Sequence, residues 1–371
     1  MAHIVFNLLF IDDTPLTGPG YYAVQTLEHV LSLNAGRSTP HQISVYVKHD
    51  AQHHFGIAAR QHLIPVKMRS NRFLRVLWEQ IAFPFQVRRA KGDLIFSPAF
   101  VSPLWGARYL VVTIHDMYYR VVPEMCEPMQ LRYWSAMIPP SARRCDRIIA
   151  VSHNSKKDIE HYLPFAKGRT VAIPLASRFT GGSGRQAPAT ARARPYVLMV
   201  ANLTPNKNCE VLVKAVKLLN AKGVAVEFIH AGKDNTGLLE ASIERLDASD
   251  YVTSLGKVSD EALEGLYRGC LAIALPSFYE GFGLPALEAQ AMGAPLIASD
   301  RGPLPEVGGE AALYFDPDDA EALAAHIETL LGQSASEREA VVERSIANAG
   351  RFSWERTGRE TLAVFDGLLQ S

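Results

Sequence analysis

Cysteine is scarce in this chain of 371 residues. Cys126, Cys145, Cys209 and Cys270 are the whole complement, with no CxxC pair and no regular spacing. That excludes a disulfide framework or a cysteine zinc site and fits a reducing cytoplasm. Long apolar runs are missing as well. None reaches the ~18 residues that a membrane-spanning helix needs. The first ten residues carry no basic segment and no small-residue cleavage site, so no secretory leader is expected. Net charge is absent overall, with 38 Lys and Arg against 38 Asp and Glu. No nucleic-acid recognition motif accompanies the basic residues, so nucleic acid is not an expected partner.

What is present is an uneven distribution of charge. Residues 1–175 carry 20 Lys and Arg against 12 Asp and Glu, a balance of +8, and the remainder carries −8. The first half is thereby suited to an anionic partner; compositional drift is the plain alternative. The chain is also longer than one hydrophobic core usually supports, so two domains are expected. Short apolar runs alternate with helical patterns in both halves. Strands are expected at 4–10, 43–47, 94–96, 109–114 and 147–151, then at 196–200, 226–230, 252–255, 271–275 and 295–298. Amphipathic helices such as 209–221 and 320–331 lie between them. This alternation predicts doubly wound α/β domains with parallel sheets, whose ligands sit beyond the carboxyl ends of the strands. A stretch rich in Gly, Ala, Arg and Pro reads as a linker. The expected division is a domain over 1–176, a linker over 177–195, a domain over 196–353 and a final helix over 354–371.

The most informative stretch is Glu280-Gly281-Phe282-Gly283-Leu284-Pro285-Ala286-Leu287-Glu288. An apolar strand precedes it and a helix follows, so it is a strand–loop–helix corner. Its glycines let backbone N–H groups approach a ligand, and the helix N-terminus attracts an anion. Two carboxylates flank that anion site and can accept hydrogen bonds from paired hydroxyls. An ordinary turn with two surface glutamates is the bland reading. After the strand 196–200 comes Asn202-Leu203-Thr204-Pro205-Asn206-Lys207-Asn208. Lys207 beside a helix start can neutralise a phosphate, while an Asn208 cap with a solvated Lys207 explains the same residues.

Other strand ends carry weaker signals. His115-Asp116 follows the strand 109–114 and suits contact with a sugar or a structural role. Gly18-Pro19-Gly20 precedes a helix, but the dinucleotide fingerprint GxGxxG is incomplete. Ser152 to Lys157 closes one strand and opens a helix, and capping accounts for its hydroxyls. Asp316-Pro317-Asp318-Asp319 contains a DxD, which a turn followed by an N-cap explains. No metal ligand set is therefore expected.

These motifs, in this order, resemble glycosyltransferase family 4 over nearly the whole chain. These are retaining sugar-nucleotide enzymes of the GT-B fold, two Rossmann-like doubly wound domains facing a central cleft. The resemblance implies that Glu280 and the backbone of Phe282, Gly283 and Leu284 hold the donor sugar. It implies Glu288 on the ribose hydroxyls, Lys207 on the diphosphate, His115 beside the transferred sugar, and Gly18 to Gly20 over the phosphates. The base would be read by backbone groups around Gly256 to Val258. One departure stands out: many members pair the lysine with an arginine, and that place holds Asn202. Asn206 or a backbone amide is the candidate substitute. The Asn-Leu-Thr-Pro-Asn-Lys-Asn form is closest to a mannosyltransferase-like subgroup and favours GDP-mannose, with no cofactor and no metal. By the same resemblance the first domain takes the acceptor, a glycan of bacterial polysaccharide or lipopolysaccharide synthesis. A sugar-nucleotide hydrolase or epimerase with Asp116 as base, or a non-catalytic sugar-nucleotide-binding protein, are the competing expectations.

Residues 67–91 combine Arg69, Arg72, Arg75, Arg88 and Arg89 with Phe73, Trp78, Phe83 and Phe85. A basic–aromatic helix can lie on an anionic membrane surface, or it can pack by its aromatics behind a solvated basic face. The first option makes the acceptor lipid-linked and the contact peripheral.

Overall fold

Every strand pairing among the described residues is parallel. The computed structural model describes residues 1–68, 71–179 and 194–370, with Arg72 and Phe73 described by backbone alone. These divide into two compact units. One holds Met1–Leu175 and the segment from Ser353 on, and the other holds Ala176–Phe352. Most of the expected linker, 180–193, lies outside the described residues, as does Arg69. The described linker ends, 177–179 and 194–195, fall in the second unit.

The first unit carries β1 (His3–Leu8), β2 (Gln42–Lys48), β3 (Leu63–Val66), β4 (Leu94–Ser97), β5 (Tyr109–Ile114), β6 (Arg147–Ala150) and β7 (Thr170–Ala172). Their order is β3-β2-β1-β4-β5-β6-β7. The second carries β8 (Tyr196–Val200), β9 (Glu227–Ala231), β10 (Val252–Ser254), β11 (Ala272–Leu275), β12 (Leu296–Ser299) and β13 (Ala312–Phe315). Their order is β10-β9-β8-β11-β12-β13. The ten expected strands are all present, with ends shifted by at most two residues. Three further strands, β3, β7 and β13, are all edge strands. Central strands such as β1 and β4 are buried along their whole length. Helices cover both faces of a parallel sheet, so both side-chain rows must be apolar.

Each strand order reverses once, between β1 and β4 in the first unit and between β8 and β11 in the second. The loops leaving the two strands at such a point diverge to opposite faces and open a crevice between them. Lys207 and Glu280 follow the two strands of the second crevice, and Gly18 to Gly20 follow β1 at the first, while His115 follows β5, one strand beyond it.

The last helix, Trp354–Leu369, completes the core of the first unit. Phe365 is fully buried and meets Phe96 at 5.1 Å and Phe6 at 6.1 Å between ring centroids. Burying such a ring contributes about 1.5–3 kcal/mol. Asp366 accepts hydrogen bonds from Arg37 Nη1 and His41 Nε2, both at 2.8 Å. Gly358 lies so close to helix Gly18–Ala35 that an added Cβ would stand 2.7 Å from His29 Cβ.

Candidate functional site

The segments leaving β8 and β11 meet in the second unit's crevice. After β8 the chain makes a short turn, Pro205–Lys207, and Asn208 adopts left-handed backbone at φ 51° before helix Cys209–Ala221. Asn208 does not cap that helix with its side chain. Its Nδ2 donates to the Pro317 carbonyl at 2.7 Å, so the capping explanation is set aside. The kink instead turns Lys207 toward β11. Lys207 Nζ donates to Glu280 Oε1 at 2.6 Å, and Ser277 Oγ donates to the same oxygen at 2.8 Å. Glu280 Oε2 takes part in neither bond. The lysine side chain is 22% exposed and the glutamate 12%, so the pair is screened far less than a surface ion pair.

Asn206 stitches the two loops together. Its carbonyl accepts from Phe278 N–H at 2.8 Å, and its Nδ2 donates to Tyr279 O at 2.9 Å. Its Oδ1 accepts from Thr204 Oγ1 at 2.7 Å. With both ends of the amide engaged and the residue buried, Asn206 is a structural tie and not a substitute for the missing arginine. Asn202 is exposed, and its Oδ1 accepts from Lys233 N–H at 3.0 Å. Ser299, at the end of β12, holds the Ser277 carbonyl at 2.6 Å. Ser277 and Ser299 carry no distinguishing sequence signal, because single serines at strand ends are common caps.

The glycine corner has a defined shape. Gly283 sits at φ 91°, and an added Cβ would stand 2.7 Å from Leu304 Cδ2. Phe282 is buried edge-on to Phe352, with ring centroids 5.9 Å apart. Its side chain anchors the loop and leaves only backbone for a ligand. Helix Leu284–Ala291 begins here with Pro285 in its first turn. Pro285 has no N–H and Ala286 N–H donates to the Gly283 carbonyl at 2.9 Å, which leaves the Gly283 and Leu284 N–H groups at the positive end of the helix dipole. Lys207 and this helix N-terminus therefore give the crevice a positive side, with Glu280 beside it.

Glu288 is almost fully buried. Its Oε2 accepts from Tyr267 Oη at 2.8 Å, and Arg178 Nε lies 2.9 Å from Oε1. Arg178 Nε is aligned too poorly for a hydrogen bond, so this contact is an ion pair. The same arginine donates to Asp260 Oδ1 at 2.9 Å. Burial pushes the Glu288 carboxyl above its ordinary value, and the Arg178 charge and the Tyr267 hydroxyl pull it back only in part. Arg178 and Tyr267 carry no sequence signal, since they lie 110 and 21 residues from Glu288. Val258 is half-buried on the loop after β10, and Gly256 before it has φ 63° and accepts from Gly232 N–H at 2.8 Å.

In the first unit, His115 follows β5 and is buried. Burial drives its pKa down to about 4, although a bond to a carbonyl works the other way. The ring is therefore neutral at pH 7. Its Nε2 lies 2.8 Å from the Pro98 carbonyl, which can only accept, so Nε2 carries the proton and Nδ1 is the acceptor. Tyr22 packs edge-on to the imidazole at 5.1 Å. Ser155 Oγ donates to His115 O at 3.0 Å, and Ser152 caps the following helix through Ser155 N–H. Gly18 opens helix Gly18–Ala35, and a Cβ on Gly20 would press on Leu16 Cδ2 at 3.1 Å. Asp116 Oδ1 accepts from Tyr118 N–H at 3.0 Å, closing a turn. In the second unit, Asp319 caps helix Ala320–Gly332 through Ala322 N–H and Asp316 pairs with Arg301 at 2.7 Å. The DxD is thus a turn and a cap.

Comparison with known proteins agrees with this arrangement. The family Glycosyl transferases group 1 matches residues 184–347, and Glycosyltransferase Family 4 matches residues 32–176. O-antigen chain mannosyltransferase B of Escherichia coli is 30% identical over 372 residues, covering 95% of this chain and 96% of that protein. O-antigen chain mannosyltransferase RfbU of Salmonella typhimurium is 29% identical over 214 residues, 57% of this chain and 58% of that protein. The sucrose-phosphate synthase structure from Thermosynechococcus elongatus superposes with a TM-score of 0.75 at 20% identity, covering 100% of both chains. With a relative matched over 95% of this chain, and with two α/β units each built on a parallel sheet, the chain belongs to the group 1 and family 4 glycosyltransferases of GT-B fold.

Proposed function

We propose that this glycosyltransferase moves mannose from GDP-mannose to a growing glycan, with retention of configuration and without a metal ion. The observation that carries the reading is the Lys207–Glu280 contact at the second unit's switch point, beside the N-terminus of helix Leu284–Ala291. The mannosyl donor is supported by the names of the O-antigen relatives. In this reading the diphosphate lies between Lys207 Nζ and the helix N-terminus, where negative charge develops as the sugar departs. Preorganised charge at a leaving group usually contributes more to such a transfer than any other single effect. Glu280, held through Oε1 by Lys207 and Ser277, offers Oε2 to a sugar hydroxyl. Glu288 accepts the ribose hydroxyls through Oε1, in place of its Arg178 ion pair, and His115 offers its neutral Nδ1 to the transferred sugar. Contact with the phosphates is also assigned to Gly18 and Gly20, at the start of their helix, and reading of the base to the backbone near Val258.

The bond from the anomeric carbon to the diphosphate oxygen breaks, and one from that carbon to the acceptor oxygen forms on the same face. The acceptor's proton passes to the departing phosphate, so no protein base is assigned. Asp116 is tied into its turn, which disfavours the hydrolase reading.

The lipid-linked acceptor rests on the segment 67–91. It folds as helices Arg72–Gln80 and Ala82–Arg89. Trp78 and Phe83 pack inward, as a core helix would have them. Arg75 also turns inward toward Glu79 at 3.7 Å, so it is not part of a solvated basic face. Leu74, Leu77, Ile81 and Phe85 remain 47–62% exposed, Leu74 and Leu77 on the first helix, Ile81 at the break and Phe85 on the second. An exposed apolar row flanked by Lys67, Arg88, Arg89 and Lys91 supports peripheral contact with an anionic membrane.

The test is a panel of sugar nucleotides scored by thermal stabilisation and then by turnover. GDP-mannose should stabilise most, by ~2.7 kcal/mol at 100 times its dissociation constant. Turnover should survive EDTA and give a product with the donor's anomeric configuration by NMR. Stabilisation by UDP-sugars alone sinks the donor assignment, and an inverted product sinks the mechanism.

A further inference from the structure

The first unit has a switch-point crevice of its own, and it is not empty of chemistry. Asn7 near the end of β1 and Ser97 at the end of β4 face a small recess of ≈ 20 Å³, room for one water-sized group such as a hydroxyl. Arg75 and Glu79, one helical turn apart on helix Arg72–Gln80, reach it from above. Phe10 and Tyr133 line its apolar side.

The polar groups here are only half used. Ser97 is 1% exposed, and its Oγ has no hydrogen-bond partner among the described residues. The Arg75 Nε–H, also buried, makes no hydrogen bond and lies 3.7 Å from Glu79 Oε2. Asn7 Nδ2 donates to Glu79 Oε1 at a long 3.4 Å. Leaving a buried hydroxyl unpaired costs about 1–3 kcal/mol, and a fold that served stability alone would replace Ser97 by alanine. Burial also raises the Glu79 carboxyl, with Arg75, Asn7 and Lys48 pulling it down.

The donor set decides what fits. Glu79 repels phosphate and carboxylate, and Arg75 disfavours a cation. A hydroxyl, which both donates and accepts, suits Ser97, Asn7, Glu79 and Arg75 together. The recess admits one hydroxyl and no more, so the ring that carries it stays at the mouth, where Phe10 and Tyr133 can meet its apolar face. We infer that this pocket receives a hydroxyl of the acceptor's terminal sugar, so that Ser97, Glu79 and Arg75 select the acceptor. The inference rests on the glycosyl-transfer reading above and names the substrate class of its second half.

The experiment uses the full chain with saturating GDP and saturation-transfer NMR. The probes are the methyl α-glycosides of mannose, glucose, galactose and N-acetylglucosamine. At least one glycoside should show transfer with the wild type. Ser97→Ala and Glu79→Gln should each weaken it about three- to tenfold, as losing one hydrogen bond does. Ser97→Ala should melt at or above the wild-type temperature, because the hydroxyl it removes is unpaired. GDP affinity by calorimetry should be unchanged in both variants, since neither Ser97 nor Glu79 is assigned to the nucleotide. Equal transfer in wild type and variants overturns the assignment, as does transfer from no glycoside. A large drop in the Ser97→Ala melting temperature shows a structural hydroxyl and overturns it too. If GDP fails to bind the wild type, the donor reading fails, whatever the glycosides do.

Discussion

In the proposed donor site, single side chains carry separate tasks. Lys207 is half of a pair whose other half, Glu280, is mostly buried. In the proposed reading Lys207 is the charge that meets the leaving group, so Lys207→Ala should lower turnover on the order of 10²–10³. Glu280 retains Ser277 as a hydrogen-bond donor, so the fold should survive. Steady-state kinetics beside a melting curve separates the two effects, and near-wild-type turnover removes Lys207 from the chemistry. His115 gives a pH-dependent prediction. Its pKa is held at about 4 in the fold against an ordinary value of 6.5. As pH falls through that window the unfolded chain takes up a proton that the folded ring refuses. Stability from this group is therefore complete above the unfolded pKa and is lost toward pH 4, by about 3 kcal/mol. His115→Gln keeps a donor for the Pro98 carbonyl but does not titrate. The stability gap between wild type and variant, measured by urea unfolding, should narrow from pH 7 to pH 4.5. An unchanged gap would mean that the imidazole is not held neutral.

Among the elements, the glycine corner between β11 and helix Leu284–Ala291 is the most constrained. Gly283→Ala forces an L side chain to φ 91° and sets its Cβ against Leu304 Cδ2. Left-handed backbone costs roughly 1–2 kcal/mol for such a residue. The variant should melt lower and bind GDP more weakly. Leu304→Ala in the same chain should restore part of the binding by relieving the clash but not the backbone strain. Full retention of GDP affinity in Gly283→Ala would show that the corner does not touch the nucleotide. This corner is legible in the sequence because glycine, proline and charge mark a strand end locally. The central strands are legible for a related reason: buried on both faces, they are written as continuous apolar runs. The edge strands are not. β3 is Leu63-Ile64-Pro65-Val66, four residues at a partly exposed edge with a proline that only an edge tolerates. β7 has three residues, and β13 is half-buried over most of its length. Contacts between distant segments are equally unreadable. Arg178 lies in a stretch that composition marks as linker, yet it pairs with Glu288. Glu79 and Ser97 give no signal because their meeting depends on the crossover between β1 and β4. The basic–aromatic segment is half legible: its helical character can be read from the residues, but not that Arg75 turns inward.

At the scale of the whole molecule, the charge asymmetry and the exposed apolar row fall in the same part of the chain. The first half carries +8, and the row Leu74, Leu77, Ile81, Phe85 lies within it. No helix among the described residues is long and apolar enough to cross a membrane; the contact proposed is a surface one, made by the exposed side chains of these two helices. Two forces then act. Each basic residue near an anionic surface adds about 1 kcal/mol, an attraction that salt weakens because the screening length shrinks from about 10 Å at 0.1 M to about 3 Å at 1 M. Buried apolar side chains add a contribution that salt leaves in place. The full chain should therefore sediment with anionic liposomes at low salt and only partly at 1 M. Arg88→Glu with Arg89→Glu should remove the salt-sensitive part. Leu77→Asp with Phe85→Asp should remove the binding that persists at high salt. All four positions are exposed, so melting temperatures should stay near wild type. Failure to sediment at low salt, together with equal turnover of a soluble and a lipid-linked acceptor, would reduce the helices to a solvated face and the acceptor to a free glycan.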